Sequence, residues 1–356
     1  MRMRTHIVTL LCAGALGTVL GVEAKSQDQT MLLDLRGKWR FEIGDDPARA
    51  NPSFNDASWV DIFVPSPWED QGFPGYDGFA WYRKHFTADP QWEGKVLYLS
   101  MGKIDDADEV YVNGHFIGFY GLFPPNYATA YDVDRNYPLP HWCLNMHGDN
   151  VVAVRVYDNG LAGGIVQGKI GICAEKDPLL ASQSLAGNWK LMKGDNAAWK
   201  DPEINDAGWP VAAVPAFWET QGLKDYDGFG WYRFHFQPSN AFQDARMILL
   251  MGKIDDIDET YLNGERIGRT GTFSTRPEWI SVNNEYIELR AYTIPANCLK
   301  IGADNVIAVR VFDKVMQGGI YDGPVGLITR DDYVRWEKHH KHFFGKPWDL
   351  FKEMFR

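Results

Sequence analysis

Cysteine is scarce in this sequence of 356 residues, which contains 4 in all. Cys12 lies in an N-terminal apolar segment, and beyond that segment three remain, Cys143, Cys173 and Cys298. An odd number at wide spacing does not predict a disulfide framework. Cys143 and Cys298 occupy the same place in an internal repeat, and we expect a buried thiol at each. The stability of the protein must then come from its hydrophobic cores.

Positive charge is also in deficit, because 36 Lys and Arg face 47 Asp and Glu for a net charge of −11. An acidic chain is a poor partner for nucleic acid or anionic membranes, and we expect neither. Aromatic residues are abundant by contrast, at 14% of the chain with 14 Trp. They either fill the cores of β-sandwiches or line carbohydrate-binding surfaces, and composition alone does not decide between these roles.

Long apolar runs are missing except near the N-terminus. Arg2 and Arg4 precede the apolar stretch 7–21, and Val22-Glu23-Ala24 resembles a signal-peptide cleavage site. The stretch is short and rich in glycine for a membrane span. We therefore predict a signal peptide over residues 1–24 and export to the periplasm or beyond, with an uncleaved anchor as the alternative.

Most of the rest of the chain consists of two copies of one repeated sequence. The hexapeptide MGKIDD begins at Met101 and again at Met251, a spacing of 150 residues. Downstream, DNVVAVRVYD begins at Asp149 and DNVIAVRVFD begins at Asp304, a spacing of 155 residues. Five extra residues therefore lie in the second copy within the range 268–298, as insertions in surface loops do.

Each copy has the residue pattern of a β-sandwich. Val, Ile, Tyr and Phe form short alternating runs between clusters of Gly, Asn, Asp and Pro, which predicts antiparallel strands. Asn113-Gly114 and Asn263-Gly264 each follow such a run and predict two-residue hairpin turns. We predict an all-β fold of two tandem jelly-roll β-sandwiches, residues 32–176 and 183–330.

A short C-terminal helical tail, residues 331–356, follows the second module. Pro347, Trp348 and Phe351 belong to a pattern typical of an amphipathic helix that begins at proline. We expect this helix to dock on a sandwich face. Membrane contact is the alternative, and the acidic body of the protein opposes it.

Several motifs resemble a known family. The run from Val64 to Arg83, the Gly-Lys-Ile-Asp-Asp turn and the Asn-Gly hairpin are similar to the sugar-binding jelly roll of family 2 glycoside hydrolases. They are closer still to the similar module of bacterial sialate O-acetylesterases. Gly318-Gly319-Ile320-Tyr321 completes the pattern in the second copy, whereas the first copy has Gly163-Gly164-Ile165-Val166 and lacks the aromatic residue.

The resemblance implies carbohydrate binding without supplying a catalytic domain. Family 2 hydrolases add a barrel with two catalytic Glu, and about 25 residues after the second module are too few for one. We also find no serine motif of the kind that a sialate esterase needs. The leading interpretation is an exported, non-catalytic carbohydrate-binding protein that holds glycans or positions a partner hydrolase or esterase. The alternatives are a hydrolase subunit, in which carboxylates such as Asp77 and Asp227 act, and a protein-interaction scaffold.

The first candidate binding region is the segment between two tryptophans in each copy. A pyranose needs a flat apolar face for its C–H side and fixed polar groups for its hydroxyls. The candidates with these chemistries are Trp68, Gln71, Asp77 and Trp81, and in the second copy Trp218, Gln221, Asp227 and Trp231. The resemblance implies a role for the two aspartates, because the corresponding loop of family 2 enzymes leads toward the substrate pocket. The alternative is that the aspartates cap turns and the tryptophans lie in the core.

The second candidate region is the loop in which the copies diverge, residues 119–131 and 269–286. Loops carried by a rigid sandwich are frequent binding sites. Its aromatic candidates are Phe119, Tyr120, Phe123 and Tyr127 in the first copy and Trp279 and Tyr286 in the second. Because the loops differ, we expect the copies to differ in ligand, or one to have lost binding.

The acidic turn Asp105, Asp106, Asp108 and Glu109, repeated as Asp255, Asp256, Asp258 and Glu259, raises the question of calcium. Calcium ligands must converge, but strand alternation directs Asp108 and Glu109 to opposite faces. We therefore predict no cofactor, with calcium as the alternative, and expect one Asp of the turn to pair with Arg83 or Arg155. Arg155 and Arg310 lie in Val-rich strands and need acidic partners.

Overall fold

The computed structural model describes residues 29–223, 226–274, 276–315 and 317–341. The predicted signal peptide and the predicted helix at Pro347 lie outside these ranges. Within them, no helix is long and apolar enough to cross a membrane.

The first module contains ten strands, and their short alternating sequences account for this strand content. The strands are β1 (Gln29–Asp34), β2 (Gly37–Ile43), β3 (Val60–Val64), β4 (Gly78–Thr87), β5 (Leu97–Asp105), β6 (Ala107–Val112), β7 (His115–Tyr120), β8 (Asp134–Pro138), β9 (Asp149–Asp158) and β10 (Gly164–Glu175). They form a four-stranded sheet of order β1-β10-β5-β8 and a six-stranded sheet of order β3-β2-β4-β9-β6-β7.

The second module repeats this topology strand for strand. Its strands are β11 (Gln183–Ser184), β12 (Gly187–Lys193), β13 (Val211–Val214), β14 (Gly228–Phe236), β15 (Met247–Asp255), β16 (Ile257–Leu262), β17 (Glu265–Thr270), β18 (Arg290–Thr293), β19 (Asn305–Asp313) and β20 (Gly319–Thr329). Their sheets have the orders β11-β20-β15-β18 and β13-β12-β14-β19-β16-β17. The predicted all-β fold of two sandwiches is confirmed.

Each module has its own core between its two sheets. In the first, Trp39, Trp68 and Tyr82 of the six-stranded side meet Leu99 and Ile172 of the four-stranded side. The second module has the corresponding core. Aromatic content thus serves packing first, since each such ring buries a large apolar area.

The predicted hairpins form between β6 and β7 and between β16 and β17. Asn113 and Gly114 have φ angles of 52° and 81°, and Asn263 and Gly264 have 51° and 84°. Both residues of such a turn need positive φ, which Asn and Gly tolerate. The Asn113 side chain also donates a hydrogen bond to the carbonyl oxygen of Cys143 at 2.8 Å.

The three described cysteines are free and buried, as predicted. Burial raises the pKa of the Cys143 thiol to about 12 and that of the Cys298 thiol to about 11. At neutral pH both remain thiols, the form that is poorly nucleophilic.

One helix, α1 (Arg330–Lys341), follows β20 directly and so begins earlier than the predicted tail helix. The Thr329 hydroxyl accepts the backbone N–H of Asp332 at 3.1 Å, which is an N-terminal cap. Tyr333 and Trp336 pack on the outer face of the second module's four-stranded sheet, near Ile248 and Ile328. The tail therefore docks on a sandwich face through this earlier helix.

Candidate functional site

The four candidate tryptophans are interior residues. Trp68 and Trp218 lie in the two main cores, and Trp81 and Trp231 pack in smaller clusters on the outer side of the six-stranded sheets. The exposed fraction of each of the four residues is 1% or less. A sugar cannot stack on rings that are covered on both faces, so the prediction of a Trp platform is wrong for these positions.

Gln71 and Gln221 are internal clamps. The Gln71 side chain accepts the backbone N–H of Phe63 at 2.6 Å and donates to its carbonyl oxygen at 2.9 Å. Gln221 holds Ala213 in the same two-sided way. These amides fix a turn against the edge strand, and their hydrogen-bonding capacity toward that strand is already used.

Three aspartates of each module converge at one point. Side-chain oxygens of Asp105, Asp106 and Asp158 all lie within 4.8 Å of one another. We call these three residues the first carboxylate cluster. Asp255, Asp256 and Asp313 meet the same criterion and form the second carboxylate cluster.

The topology explains this convergence. β5 belongs to the four-stranded sheet and β6 to the six-stranded sheet, so the chain crosses between sheets at Asp105 and Asp106. The peptide bond between these two residues is cis. Asp158 ends β9, the neighbour of β6, and the backbone N–H of Asp106 donates to the carbonyl oxygen of Tyr157 at 3.0 Å. The crossing point and the strand end are thereby held together.

The three carboxyl groups of the first cluster have different proton affinities. Burial, together with the neighbouring Asp106, raises the pKa of Asp105 to about 7. Burial also raises the pKa of Asp158 to about 6. At Asp106 burial is outweighed by hydrogen bonds from Thr129 and Tyr127, which lower its pKa. The cluster therefore combines an ionised acceptor with groups that can carry a proton near neutral pH.

Asp158 retains unused hydrogen-bonding capacity. Its Oδ1 atom accepts the backbone N–H of Gly160 at 3.1 Å. Its Oδ2 atom is buried and has no hydrogen-bond partner among the described residues. Buried polar atoms are nearly always satisfied, so this oxygen marks a place where a donor or a cation would be stabilised.

Asp77 lies exposed near this cluster, and its negative charge contributes to the raised pKa of Asp158. Glu69 adds to the same effect, and its carboxylate accepts the backbone N–H of Gly163. Asp227 and Glu219 act in the same way on Asp313. The structure thus places the predicted aspartates at the edge of each cluster rather than among its converging oxygens.

The aromatic loop of the first module borders its cluster. Phe123 packs against Phe79, with ring centroids 5.2 Å apart, and under the guanidinium of Arg155 at 4.5 Å. Tyr127 packs against Tyr157 at 5.7 Å and is 36% exposed. Burial and the adjacent Asp106 raise the pKa of Tyr127 to about 12, so its hydroxyl remains a donor at neutral pH.

The other two aromatic candidates of this loop have different surroundings. Phe119 stacks on Phe116 with ring centroids 6.2 Å apart. Tyr120 packs edge-on against Tyr137 at 5.5 Å and lies beneath Arg135. Tyr120 thus belongs to the packing around a buried ion pair rather than to the rings around Arg155.

The longer loop of the second module packs on the strands that carry its cluster. Ile280 is 1% exposed and packs with Ile257 and Phe312. The Lys314 ammonium donates to the carbonyl oxygen of Ile280 at 2.8 Å, which holds the loop in place. Burial raises the pKa of Asp255 and of Asp313 to about 9, above the values of their counterparts in the first module.

The two aromatic candidates of this loop point elsewhere. Trp279 is 65% exposed and lies beneath the guanidinium of Arg276 at 4.4 Å. Tyr286 is partly exposed, and its carbonyl oxygen accepts the hydroxyl of Tyr321 at 2.9 Å. Phe273, at the position of Phe123, instead takes the place beneath an arginine, Arg310, at 4.4 Å.

The acidic turn pairs with an unexpected arginine. Asp108 accepts the Nε–H of Arg135 at 2.9 Å, and both side chains are fully buried. Asp258 and Arg290 form the same pair at 3.0 Å. The predicted pairing of an aspartate of the turn with Arg83 or Arg155 was therefore wrong, although Arg155 does pair with the glutamate of the turn, Glu109.

Arg155 does have the acidic partners that its position requires, Asp45 at 2.5 Å and Glu109 at 3.0 Å. Arg310 has Asp195 and Glu259. Arg83 pairs with Asp56 at 2.8 Å.

Sequence reasoning missed Asp158 and Asp313 as members of a cluster. The available signal was that both end the repeated ten-residue strand with an unchanged Asp. Arg135 and Tyr137 were missed as well, although Arg290 and Tyr292 repeat them at the spacing of 155. The same spacing now confines the five-residue insertion to the stretch between Phe273 and Arg290.

Comparison with known proteins agrees with the resemblance in the motifs. Residues 47–162 match the family described as the second all-β domain of β-galactosidase. A β-galactosidase of Bacteroides ovatus is 30% identical over 138 residues, which are 35% of this chain and 15% of that protein. A β-glucuronidase of Formosa agariphila is 28% identical over 134 residues, 33% of this chain and 12% of that protein.

Among solved structures, a β-glucuronidase of Bacteroides uniformis covers 83% of this chain and 28% of its own, with 15% identity and a TM-score of 0.35. The chain spans about a seventh of the length of the two curated relatives. The first module is therefore similar in sequence to an all-β domain of β-galactosidases.

Proposed function

We propose that this protein binds carbohydrate without cleaving it, through the first carboxylate cluster and the aromatic loop beside it. The observation that carries the proposal is the buried Oδ2 atom of Asp158, which has no hydrogen-bond partner among the described residues and lies in the module whose loop carries the partly exposed Tyr127. The equivalent Oδ2 atom of Asp313 has none either, so the test compares the two clusters. A sugar hydroxyl would supply the missing donor, and charge-assisted hydrogen bonds of this kind are stronger than neutral ones.

The neighbouring groups suit a polyhydroxylated ligand. Asp106 is an acceptor, and Asp105, with its pKa raised by burial to about 7, can donate as well as accept. Tyr127 is 36% exposed beside them and offers an aromatic ring, while its hydroxyl already donates to Asp106. Paired hydroxyls of a pyranose need this mixture of donors and acceptors, and its C–H face needs an aromatic surface.

Calcium is a second ligand that the same oxygens can accept. Carboxylate oxygens are the preferred ligands of this ion, and three converge here. A cation would also neutralise the repulsion from Asp106 and Asp158 that, after burial, contributes to the raised pKa of Asp105. We therefore include calcium in the test, alone and together with sugar.

Isothermal titration with β-galactosides and β-glucuronides, the substrate classes in the names of the relatives, tests the proposal. We expect Asp158→Asn to abolish binding, because the amide places an N–H donor or a neutral oxygen where an ionised acceptor is needed. Asp313→Asn makes the equivalent change in the second cluster, where burial raises the pKa values further, and it should leave binding unchanged. Binding that survives Asp158→Asn, or no binding across a broad glycan array, would contradict the proposal.

A hydrolase is the second candidate function. Two carboxyl groups with opposite pKa shifts, Asp106 lowered and Asp158 raised, resemble the base and acid of a glycosidase. Release of nitrophenol from chromogenic glycosides by the wild type, lost in Asp158→Asn, would favour this function over simple binding. A rate equal to that of buffer would exclude it for those substrates.

We also propose that the protein is exported and that it acts beside a glycan-processing enzyme. The n-region, apolar stretch and cleavage motif of residues 1–24 support export. Mass spectrometry of the mature N-terminus, with Lys25 as the expected first residue, tests that step. Co-purification tests whether the protein acts beside such an enzyme. Recovery of a hydrolase or esterase only at sub-stoichiometric levels, with loss of the enzyme at higher salt, would weaken that proposal.

A further inference from the structure

The two modules meet along a groove lined by apolar residues from both. Three of its residues on the first module are Phe116, Pro138 and Trp142, and three on the second are Pro215, Phe217 and Tyr321. Domains that share only small polar contacts move freely, whereas a hydrophobic contact restricts them. The apolar lining of this groove is therefore typical of a contact that restricts motion between the two modules.

On the second module, the contact is built from aromatic residues that the first module lacks. Phe217 and Tyr321 stack with ring centroids 4.8 Å apart and planes 5° from parallel. At the equivalent positions the first module has Pro67 and Val166. The aromatic residue that is absent from the first copy's Gly-Gly-Ile-Val motif is therefore a residue of this contact.

Burial shows that the first module covers this surface. Asp322 is 5% exposed, whereas Gln167, its counterpart, is exposed. Lys169 is exposed too, while its counterpart Pro324 is half-buried. The two strands have the same pairing partners within their own sheets, so the difference comes from what lies over them.

Charges cross the same boundary. Burial and the carboxylate of Asp322 raise the pKa of Glu175, which lies at the end of the first module's last strand. Asp322 also accepts the Lys253 ammonium at 2.8 Å, so its charge is partly compensated inside its own module. Tyr98 of the first module is buried and has its pKa raised by burial and then by Asp322.

The first module's half of the contact is likewise absent from the second. Pro138 is half-buried, and its counterpart Thr293 is exposed. The half-buried Phe116 is replaced by the exposed Arg266. Trp142, which lines the groove and is itself 49% exposed, is replaced by Asn297. Among the described residues, each half of this apolar lining therefore occurs in one module and is replaced by other residues in the other.

We propose that this one-sided contact joins the two sandwiches into a single rigid unit that unfolds cooperatively. The first module contacts one end of the second module, and the corresponding end of the first module stays open. The second carboxylate cluster lies close to the covered end, since Asp255 acts on the ionisation of Tyr321. The chain then presents one open end of this kind rather than two. This holds whether or not a sugar binds.

The double variant Phe217→Pro with Tyr321→Val tests the proposal, because it installs the first module's own residues. Phe217 has φ −65° and ψ 139°, which proline adopts, and valine suits a strand. We expect the single calorimetric peak of the wild type to split into two. Small-angle X-ray scattering should show a larger radius of gyration, with the far-ultraviolet circular dichroism unchanged.

Two controls separate the contact from local effects. Tyr321→Phe removes only the hydrogen bond to Tyr286 and should keep one peak. Pro67→Phe with Val166→Tyr makes the reverse exchange on the open end and should change neither measurement. If the first double variant misfolds, Phe116→Arg with Trp142→Asn opens the contact from the other side. One peak and an unchanged radius of gyration in a folded interface variant would overturn the proposal, as would two independent peaks in the wild type.

Discussion

The first and second carboxylate clusters consist of equivalent aspartates on equivalent strands, yet their surroundings differ. In the first, the loop after β7 brings the half-exposed Tyr127 beside Asp106. In the second, a loop with five more residues packs Ile280 against Ile257 and Phe312, and Lys314 donates to the Ile280 carbonyl oxygen. Equivalent strands thus carry carboxyl groups of different proton affinity, because burial raises the pKa values of Asp255 and Asp313 further than those of Asp105 and Asp158.

Loss of the buried arginine should have the largest effect, and an equal one in both modules. Arg135→Met and Arg290→Met each leave an aspartate without its partner in the interior, which costs about 3–5 kcal/mol. Each arginine also donates to backbone carbonyls of the divergent loop, Val133 in the first module and Glu288 in the second. Chemical denaturation measures the free energy of unfolding. A cost several-fold greater in one module would show that the two networks are not equivalent.

Truncation of Ile280, which packs on the strands that carry the second cluster, should have the next largest effect. Ile280→Ala deletes a buried side chain, and we expect a loss of about 2–4 kcal/mol in the free energy of unfolding. It should also lower the pKa of Asp255 toward that of Asp105, because water then reaches the cluster. Ile287→Ala, at a side chain in the same loop that is 44% exposed, is the control and should change neither quantity. A pKa of Asp255 that stays near 9 in Ile280→Ala would mean that the loop does not set it.

The pH dependence of stability should distinguish the clusters. Burial raises the pKa of Asp158 from 3.8 to about 6 and that of Asp313 from 3.8 to about 9. Between its unfolded and folded values each group binds more protons in the folded state, so the free energy of unfolding falls as pH rises. For Asp158 this loss is complete near pH 6, whereas for Asp313 it continues to about pH 9.

Asparagine variants test this difference directly. Asp313→Asn cannot ionise, so we expect a flatter decline of stability between pH 6 and 8 and a more stable protein at pH 8. Asp158→Asn should leave the slope in that interval unchanged. Urea denaturation at several pH values gives both slopes. The same change of slope in the two variants would show that the clusters are equally enclosed.

Trp279→Ala should have the smallest effect. Its ring is 65% exposed, and exposed substitutions usually change stability by less than about 0.5 kcal/mol. We also expect glycan binding to be unchanged, because Trp279 does not border the first cluster. Tyr127→Ala is the comparison, with a predicted loss of glycan affinity of about tenfold or more, since a ring contact and a hydroxyl are both removed. Reduced binding in Trp279→Ala would place a ligand on the second module.

Periodicity and repeated motifs were enough to predict the sandwiches, since strands such as β9 alternate and the Asn113-Gly114 turn has one favoured geometry. The tryptophan segments misled because Trp suits both a core and a sugar surface, and its sequence neighbours do not reveal which side of a sheet it faces. The cluster was out of reach because Asp106 and Asp158 are far apart in sequence and meet only where the chain changes sheets. The partner of Asp108 was missed for the same reason, since Arg135 lies on a strand of the opposite sheet.

The docking of helix α1 also closes a very long loop. The Trp336 indole N–H donates to the carbonyl oxygen of Asp177, in the connection between the modules, across a sequence separation of 159 residues. The indole also stacks on His340, with ring centroids 4.4 Å apart. In polymer terms this hydrogen bond is a reversible cross-link between the end of the second module and its beginning. The loop that it closes is long, but the entropic cost of loop closure rises only slowly with length. Trp336 thus holds the two ends of the second sandwich close together without a covalent bond.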